Sequence, residues 1–194
     1  HPGIPTYSIF PSTYTVFRKD RNGYGGGVFQ AIKSDLNALK KQSTDNCEIL
    51  WTSLKMTNCK TLYLSSFYRP PNSSIEILDH FSASVNDVFT RALNHPNIVI
   101  GEDFNLGDIN WDHEMPTTTN SATASQYNKF LNLMDDYSLT QHAKVPNTYP
   151  NSISGVCAFD GLSDHDIVHF EVNLKARRSS PIESMCTKKQ TSEA

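Results

Sequence analysis

No apolar run in these 194 residues approaches the length that a bilayer crossing needs. The opening His1-Pro2-Gly3-Ile4-Pro5 lacks the charged and apolar regions of a secretory leader. The chain does not start on Met either, so it is expected to be an excised or incomplete piece. An excess of basic residues is missing as well. Lys and Arg number 17 against 20 Asp and Glu, a formal charge of −3, which gives no overall attraction to nucleic acid. A phosphate-bearing partner would have to be held by a local basic surface or by metal ions. The four cysteines, Cys47, Cys59, Cys157 and Cys186, show no C-x-x-C spacing and no nearby knuckle of histidines. That pattern argues against zinc ligation and for free, buried thiols in a reducing compartment. No internal repeat is visible. With 38% hydrophobic residues, the chain is expected to form one globular domain over residues 1–174. Residues 175–194 turn polar, lose periodicity and read as a disordered tail.

The elements follow from spacing. Tyr14 to Lys19 reads as a strand, followed by the polar turn Asp20-Arg21-Asn22-Gly23. Gly25-Gly26-Gly27 leads into a second strand, Val28 to Ile32. With no lysine-serine pair and no helix after it, the glycine run is expected to serve positive φ or close approach of the backbone rather than a phosphate cradle. Glu48–Met56 and Lys60–Arg69 form two β-rich runs, a hairpin about Thr57-Asn58-Cys59. Pro70-Pro71 ends the second run by removing donors. Ser73 is expected to cap a helix, with Glu76 completing a capping box. That helix carries Ile75, Leu78, Phe81, Val85, Val88, Phe89 and Ala92 on one stripe. A loop with Trp111 and a helix from about Ala124 to Tyr137 come later, with Tyr127, Phe130, Leu131 and Met134 facing inward. Ile167 to Leu174 alternates as a last strand.

Chemistry concentrates in two places. Asn97 to Asn105 is an apolar strand ending in Glu102-Asp103-Phe104-Asn105. Side chains two apart share a face of an extended chain, so Asp103 and Asn105 point together and Phe104 points into packing. A carboxylate to orient water and a carboxamide to donate to a phosphoryl oxygen suit phosphodiester hydrolysis. Asp and Asn are equally ordinary turn residues, and the segment alone leaves both open. The second place is Ser163-Asp164-His165-Asp166. A Ser-His-Asp relay fails there, because neighbours on an extended segment alternate faces. An acid beside a histidine at a strand start can instead serve a metal-phosphate site.

Taken in order, these segments resemble the endonuclease/exonuclease/phosphatase superfamily, the fold of DNase I and apurinic endonucleases. They are closer to the endonuclease domain that precedes the reverse transcriptase in LINE-type (non-LTR) retrotransposons. Val16 to Arg21 with the triple glycine resembles the early hairpin of that subgroup, and Phe67-Tyr68-Arg69-Pro70-Pro71 its Tyr-Arg-Pro-Pro element. Gly101 to Trp111 resembles its G-D-F-N-x-x-x-I-x-W signature, and Gly161 to Val168 its G-x-S-D-H-D-x-V signature. The resemblance spans roughly residues 5–174. It implies an α/β (α+β) layered sandwich, two mainly antiparallel β-sheets flanked by helices. It also implies Mg²⁺- or Mn²⁺-dependent cleavage of DNA, with a reverse transcriptase possible downstream, and an intracellular, nuclear setting for a functional copy. A monomer without membrane association is expected. By matching position, Tyr68 would contact the scissile phosphate, with Arg69 among the phosphate- or DNA-binding residues. Asp103 would orient or deprotonate the attacking water, and Asn105 would hydrogen-bond a phosphate oxygen. His165 would stabilise charge on phosphorus, Asp164 would hold His165 or a second metal ion, and Asp164 and Asp103 would be the metal ligands. Hard oxygen ligands and a phosphate substrate favour Mg²⁺ or Mn²⁺ over zinc.

Three departures point to impaired activity. The family's early Asn and its metal-binding Glu have no counterpart here, so the fold is expected to be incomplete at its amino terminus. Val145-Pro146-Asn147-Thr148-Tyr149-Pro150 runs where the family has an internal strand carrying an Asp, as though that strand were deleted. Such losses should leave unpaired edges and exposed apolar faces. Glu102 stands where the family has Gly, on the face opposite Asp103, and would be strained if the position required positive φ. The alternatives are a catalytically dead remnant that binds nucleic acid or a partner, and a small-molecule phosphatase. The Tyr-Arg-Pro-Pro and Ile-x-Trp elements count against the phosphatase.

Overall fold

The computed structural model describes residues 3–21, 26–55, 59–92 and 95–141, and the strand backbones of 157–159 and 167–169. In chain order the strands are β1 (Tyr14–Asp20), β2 (Gly27–Lys33), β3 (Leu39–Lys40), β4 (Glu48–Leu54) and β5 (Leu62–Tyr68). Helix α1 (Glu76–Arg91) leads to β6 (Asn97–Asp103), β7 (Ile109–Asn110) and β8 (Met115–Pro116). Helix α2 (Ser121–Asp136) precedes β9 (Cys157–Phe159) and β10 (Ile167–His169). No helix among the described residues is long and apolar enough to cross a membrane.

The centre is a four-stranded sheet in the order β3-β4-β5-β6. Its first two pairings are antiparallel, and β5 and β6 run parallel. Parallel neighbours need a crossover between them, and α1 supplies it. Alternation along the strands assigns the two faces. Ile49, Trp51, Phe67, Ile98 and Ile100 pack with Leu78, Phe81, Val85 and Val88 of α1 and with Tyr127, Phe130 and Leu133 of α2. Trp51 donates its indole N–H to the Ser84 hydroxyl at 2.9 Å, which satisfies the one polar atom of that buried ring. On the other face Leu54 and Leu62 meet Ile32 of β2, with Phe17, Leu64 and Val99 around them. Gln30 of β2 crosses the same gap, donating to the carbonyls of Leu50 and Leu64 at 3.2 Å each, while Thr52 donates to its side-chain oxygen at 2.6 Å.

The arrangement is therefore a mixed α/β layering: helices, sheet, then the β1–β2 hairpin. Two full sheets face to face were expected; the described layer packed on the other face of the central sheet is this two-stranded hairpin. Ile4, Tyr7, Ile9, Phe29, Leu36 and Leu39 are exposed.

Two local expectations are corrected. Ser73 does not cap α1: the cap position is Ile75, without a side-chain bond, and the Ser73 hydroxyl donates to the Pro70 carbonyl at 2.6 Å. Asn120 caps α2 instead, accepting from the N–H groups of Ala122 and Thr123, so that helix starts at Ser121 rather than near Ala124. A strand was also read as deleted before Ser163. Residues 157–159 nevertheless form β9, three residues paired antiparallel with β10, and none of the three is an Asp. The rest of the expected final strand, 170–174, and the tail 175–194 lie outside the described residues.

Candidate active site at the strand tips

The parallel register of β5 and β6 sets Tyr68 opposite Asp103 at the end where both strands stop. Counting back in twos reaches Leu64 and Val99, which pack toward the hairpin, so Tyr68 and Asp103 stand on that face. Both are partly buried. Phe104 turns the other way, as expected. Its ring centroid lies 5.0 Å from that of Phe67, 5.1 Å from Phe81 and 4.2 Å from Phe130. This anchor fixes where the strand ends and the turn begins. Asn105 then takes φ +50, a left-handed conformation that Asn tolerates better than most residues. Its backbone N–H donates to the Asp103 carboxylate at 3.0 Å, and its side-chain amide donates to the Arg69 carbonyl at 2.7 Å. Arg69 returns its own N–H to the Asp103 carbonyl at 2.8 Å. Asp103 and Asn105 are thus held together, with Asn105 exposed.

Arg69 was expected to bind phosphate, and the structure corrects this. The residue is 2% exposed. Its guanidinium donates to the carbonyls of Phe104 at 3.3 Å and Ser73 at 2.6 Å and to the Gln126 side chain at 2.7 Å. All three acceptors are neutral, and burial lowers its pKa from the usual arginine value. Arg69 fastens the strand tip to α2 and does not face a ligand.

Two polar groups that the sequence motifs did not single out flank the site. Glu48 is the register partner of Tyr68 on the other side, so Glu48, Tyr68 and Asp103 form one row across β4, β5 and β6. Glu48 is paired with Arg21, whose Nε donates to one carboxylate oxygen and whose Nη2 donates to the other at 3.1 Å. Even-numbered spacing along β4 was the available signal for Glu48. Arg21 closes the hairpin motif that ends before the triple glycine, but nothing local gave it a partner in β4.

Glu102 lies on the opposite face from Asp103, as the alternation requires. It accepts the Phe104 N–H at 3.0 Å, and burial pushes its carboxyl up to about 7. Its φ is not positive, so the backbone strain considered for this position is absent. The Cys47 thiol is free and buried, pushed up to about 11 chiefly by burial, an inert core sulfur.

Asp164 and His165 lie outside the described residues. Among those described, no group of three or more His, Cys, Asp or Glu residues could hold a metal ion. The acids on the row are Glu48, engaged with Arg21, and Asp103, one of whose oxygens accepts the Asn105 N–H. A single carboxylate and an exposed amide fit the sparse protein ligation of Mg²⁺, which takes one or two carboxylates and completes its shell with water and substrate phosphate.

No curated protein and no solved structure matches the chain. A family model described as endonuclease-reverse transcriptase matches residues 62–157, a segment that opens with β5 and runs through Tyr68, Asp103, Asn105 and α2 to Cys157. By that match this segment, strand tips included, is similar to the endonuclease-reverse transcriptase family.

Proposed function

We propose that the tips of β5 and β6 form a metal-dependent DNA phosphodiesterase site by descent, and that this chain cuts DNA weakly. The observation that carries the proposal is the register pair Tyr68–Asp103 with Asn105 tied beside it. The Asp103 oxygen not engaged by Asn105 would take a proton from the attacking water. Asn105 has a second amide N–H beyond the one given to Arg69, and that one would donate to a phosphate oxygen. Tyr68 would contact the scissile phosphate through its hydroxyl. His165, with Asp164, would face the charge that builds on phosphorus.

Mg²⁺ or Mn²⁺, held by Asp103 and Asp164, would supply Lewis acidity toward the phosphoryl group and the leaving oxygen. Weak activity follows from the ligand set, since Glu48 is engaged by Arg21 and Glu102 faces the other side of the sheet. DNA is the proposed partner, with a reverse transcriptase possible downstream, and the nucleus the setting of a working copy.

Plasmid nicking in Mg²⁺ and in Mn²⁺, with Asp103→Ala alongside, is the test. Slow nicking abolished by Asp103→Ala supports a weakened site. Fast nicking abolished by it overturns the impairment, and nicking that survives it overturns the site. A non-catalytic remnant is the second reading, favoured by the lack of a three-acid cluster among the described residues. DNA binding with no Asp103-dependent nicking in either metal would establish it.

A further inference from the structure

The glycine run has no part in the chemistry above, yet Gly26 sits against the guanidinium that lies over Tyr68. Arg21 leaves β1 just after Asp20, and its backbone N–H donates to the Gly26 carbonyl at 3.3 Å. Its guanidinium carbon lies 4.8 Å from the centroid of the Tyr68 ring. Gly26 also lies close against the guanidinium, which has room there because Gly26 has no side chain. A Cβ at Gly26 would lie 2.9 Å from Arg21 Cζ and 3.0 Å from Nη1. Gly26 also takes φ +84, which a side chain would resist. The edge of the guanidinium is fixed by the fork to Glu48, the register neighbour of Tyr68. A planar cation forked to Glu48, set over the Tyr68 ring and close against Gly26 is restrained in orientation, and the ring beneath it shares the restraint.

We propose that Arg21 is a positioning residue for Tyr68, seated by Gly26, oriented by Glu48, and holding the phenol in place beside Asp103. The functional weight of this rests on the proposed role of Tyr68 at the phosphate; the placement of the ring does not. The glycine run then acts at the strand tips of the central sheet, although it belongs to the hairpin layer. Bidentate pairing with Glu48 raises the Arg21 pKa above its ordinary value, so the cation persists at any pH of interest.

The test reads the ring itself. Tyrosine-selective ¹³C labelling, with Tyr68→Phe to assign the signal, follows the ring of Tyr68 by NMR in the full chain. Arg21→Met and Gly26→Ala should each shift the Tyr68 signal while those of Tyr63 and Tyr127, on the helical side of the sheet, stay in place. Arg21→Lys should return it part of the way, since an ammonium can sit over the ring but cannot form the fork. A Tyr68 signal unmoved in both variants overturns the proposal. So does movement of all three tyrosines together, which marks general loosening. If Arg21→Met does not fold, Gly26→Ala decides alone, because it leaves Arg21 and Glu48 intact. The outcome is separate from nicking. A shifted ring in a protein that never nicks leaves the positioning role standing without the nuclease, and an unshifted ring in a protein that nicks removes only the role of Arg21.

Discussion

Replacing Arg69 separates a structural strut from a DNA contact. Its guanidinium spans three segments: the Ser73 carbonyl ahead of α1, the Phe104 carbonyl between Asp103 and Asn105, and Gln126 in α2. Arg69→Lys keeps the charge but offers one ammonium on a different stem, which cannot reach all three acceptors in the plane that a fork provides. Leaving one or two buried acceptors unmet costs about 1–3 kcal/mol each. Arg69→Met strands all three. It also removes a cation that has no acidic partner among these bonds, so part of the loss is recovered as relieved desolvation. The expected destabilisation is therefore about 2–4 kcal/mol for either variant.

Urea unfolding followed by tryptophan fluorescence reads it through Trp51, which is buried, and Trp111, whose ring meets Phe130 edge-on at 6.4 Å. With a slope of about 2 kcal/mol per molar urea, the midpoint should fall by about 1–2 M. A DNA-contacting arginine behaves oppositely. Its loss leaves the midpoint where it was and lowers the salt slope of DNA affinity by about one. Unchanged midpoints in both variants, with that flattened slope, would refute the strut.

Glu102→Gln gives a pH signature in metal-free buffer containing EDTA. The folded chain keeps the Glu102 proton until about pH 7, whereas an ordinary carboxyl loses it near 4.5. Between those values the unfolded state binds fewer protons, so stability falls as pH rises and levels off above 7. The variant should match the parent near pH 4.5 and exceed it at pH 8, by at most about 3 kcal/mol; equal stability at both pH values would contradict the buried carboxyl. Gly27→Ala should destabilise more than Gly26→Ala. A Cβ at Gly27 collides with backbone, the Lys19 carbonyl and Asp20 Cα, whereas at Gly26 it meets the end of a flexible side chain. Thermal unfolding of the two variants checks the order. Asn105→Ala should cost about 1–2 kcal/mol through the lost bond to Arg69 and the left-handed backbone. Asn105→Gly should recover the backbone share, and chemical denaturation reads both.

What the chain spells out locally, the fold repeats. Alternation placed Phe104 inward and Glu102 opposite Asp103. The proline pair marked the end of β5, and the glycine run marked a close approach of backbone. Each of these depends on neighbours within a few positions. The failures share the opposite property. Ser73 has the composition of a cap, but a guanidinium and a proline carbonyl hold it outside the helix. Arg69 reads as an exposed cation because its last partner, Gln126, stands 57 positions away. Glu48 looks like an ordinary strand acid until β5 lies beside it.

The placement of Tyr68 beside Asp103 depends on one such long-range assembly. A parallel register between β5 and β6 is set by a crossover, not by a turn, so no residue near Asp103 specifies that Tyr68 is its neighbour. Three features keep the register from slipping. Phe104 fills a fixed gap among Phe67, Phe81 and Phe130. Across the two strand ends the Arg69 N–H donates to the Asp103 carbonyl, and the Asn105 side-chain amide donates to the Arg69 carbonyl. Arg69 itself is bolted to α2. A slip of one residue would turn Phe104 out of the core and leave the Arg69 guanidinium without its acceptors, so packing that has no chemical role selects the register in which Asp103 and Tyr68 meet.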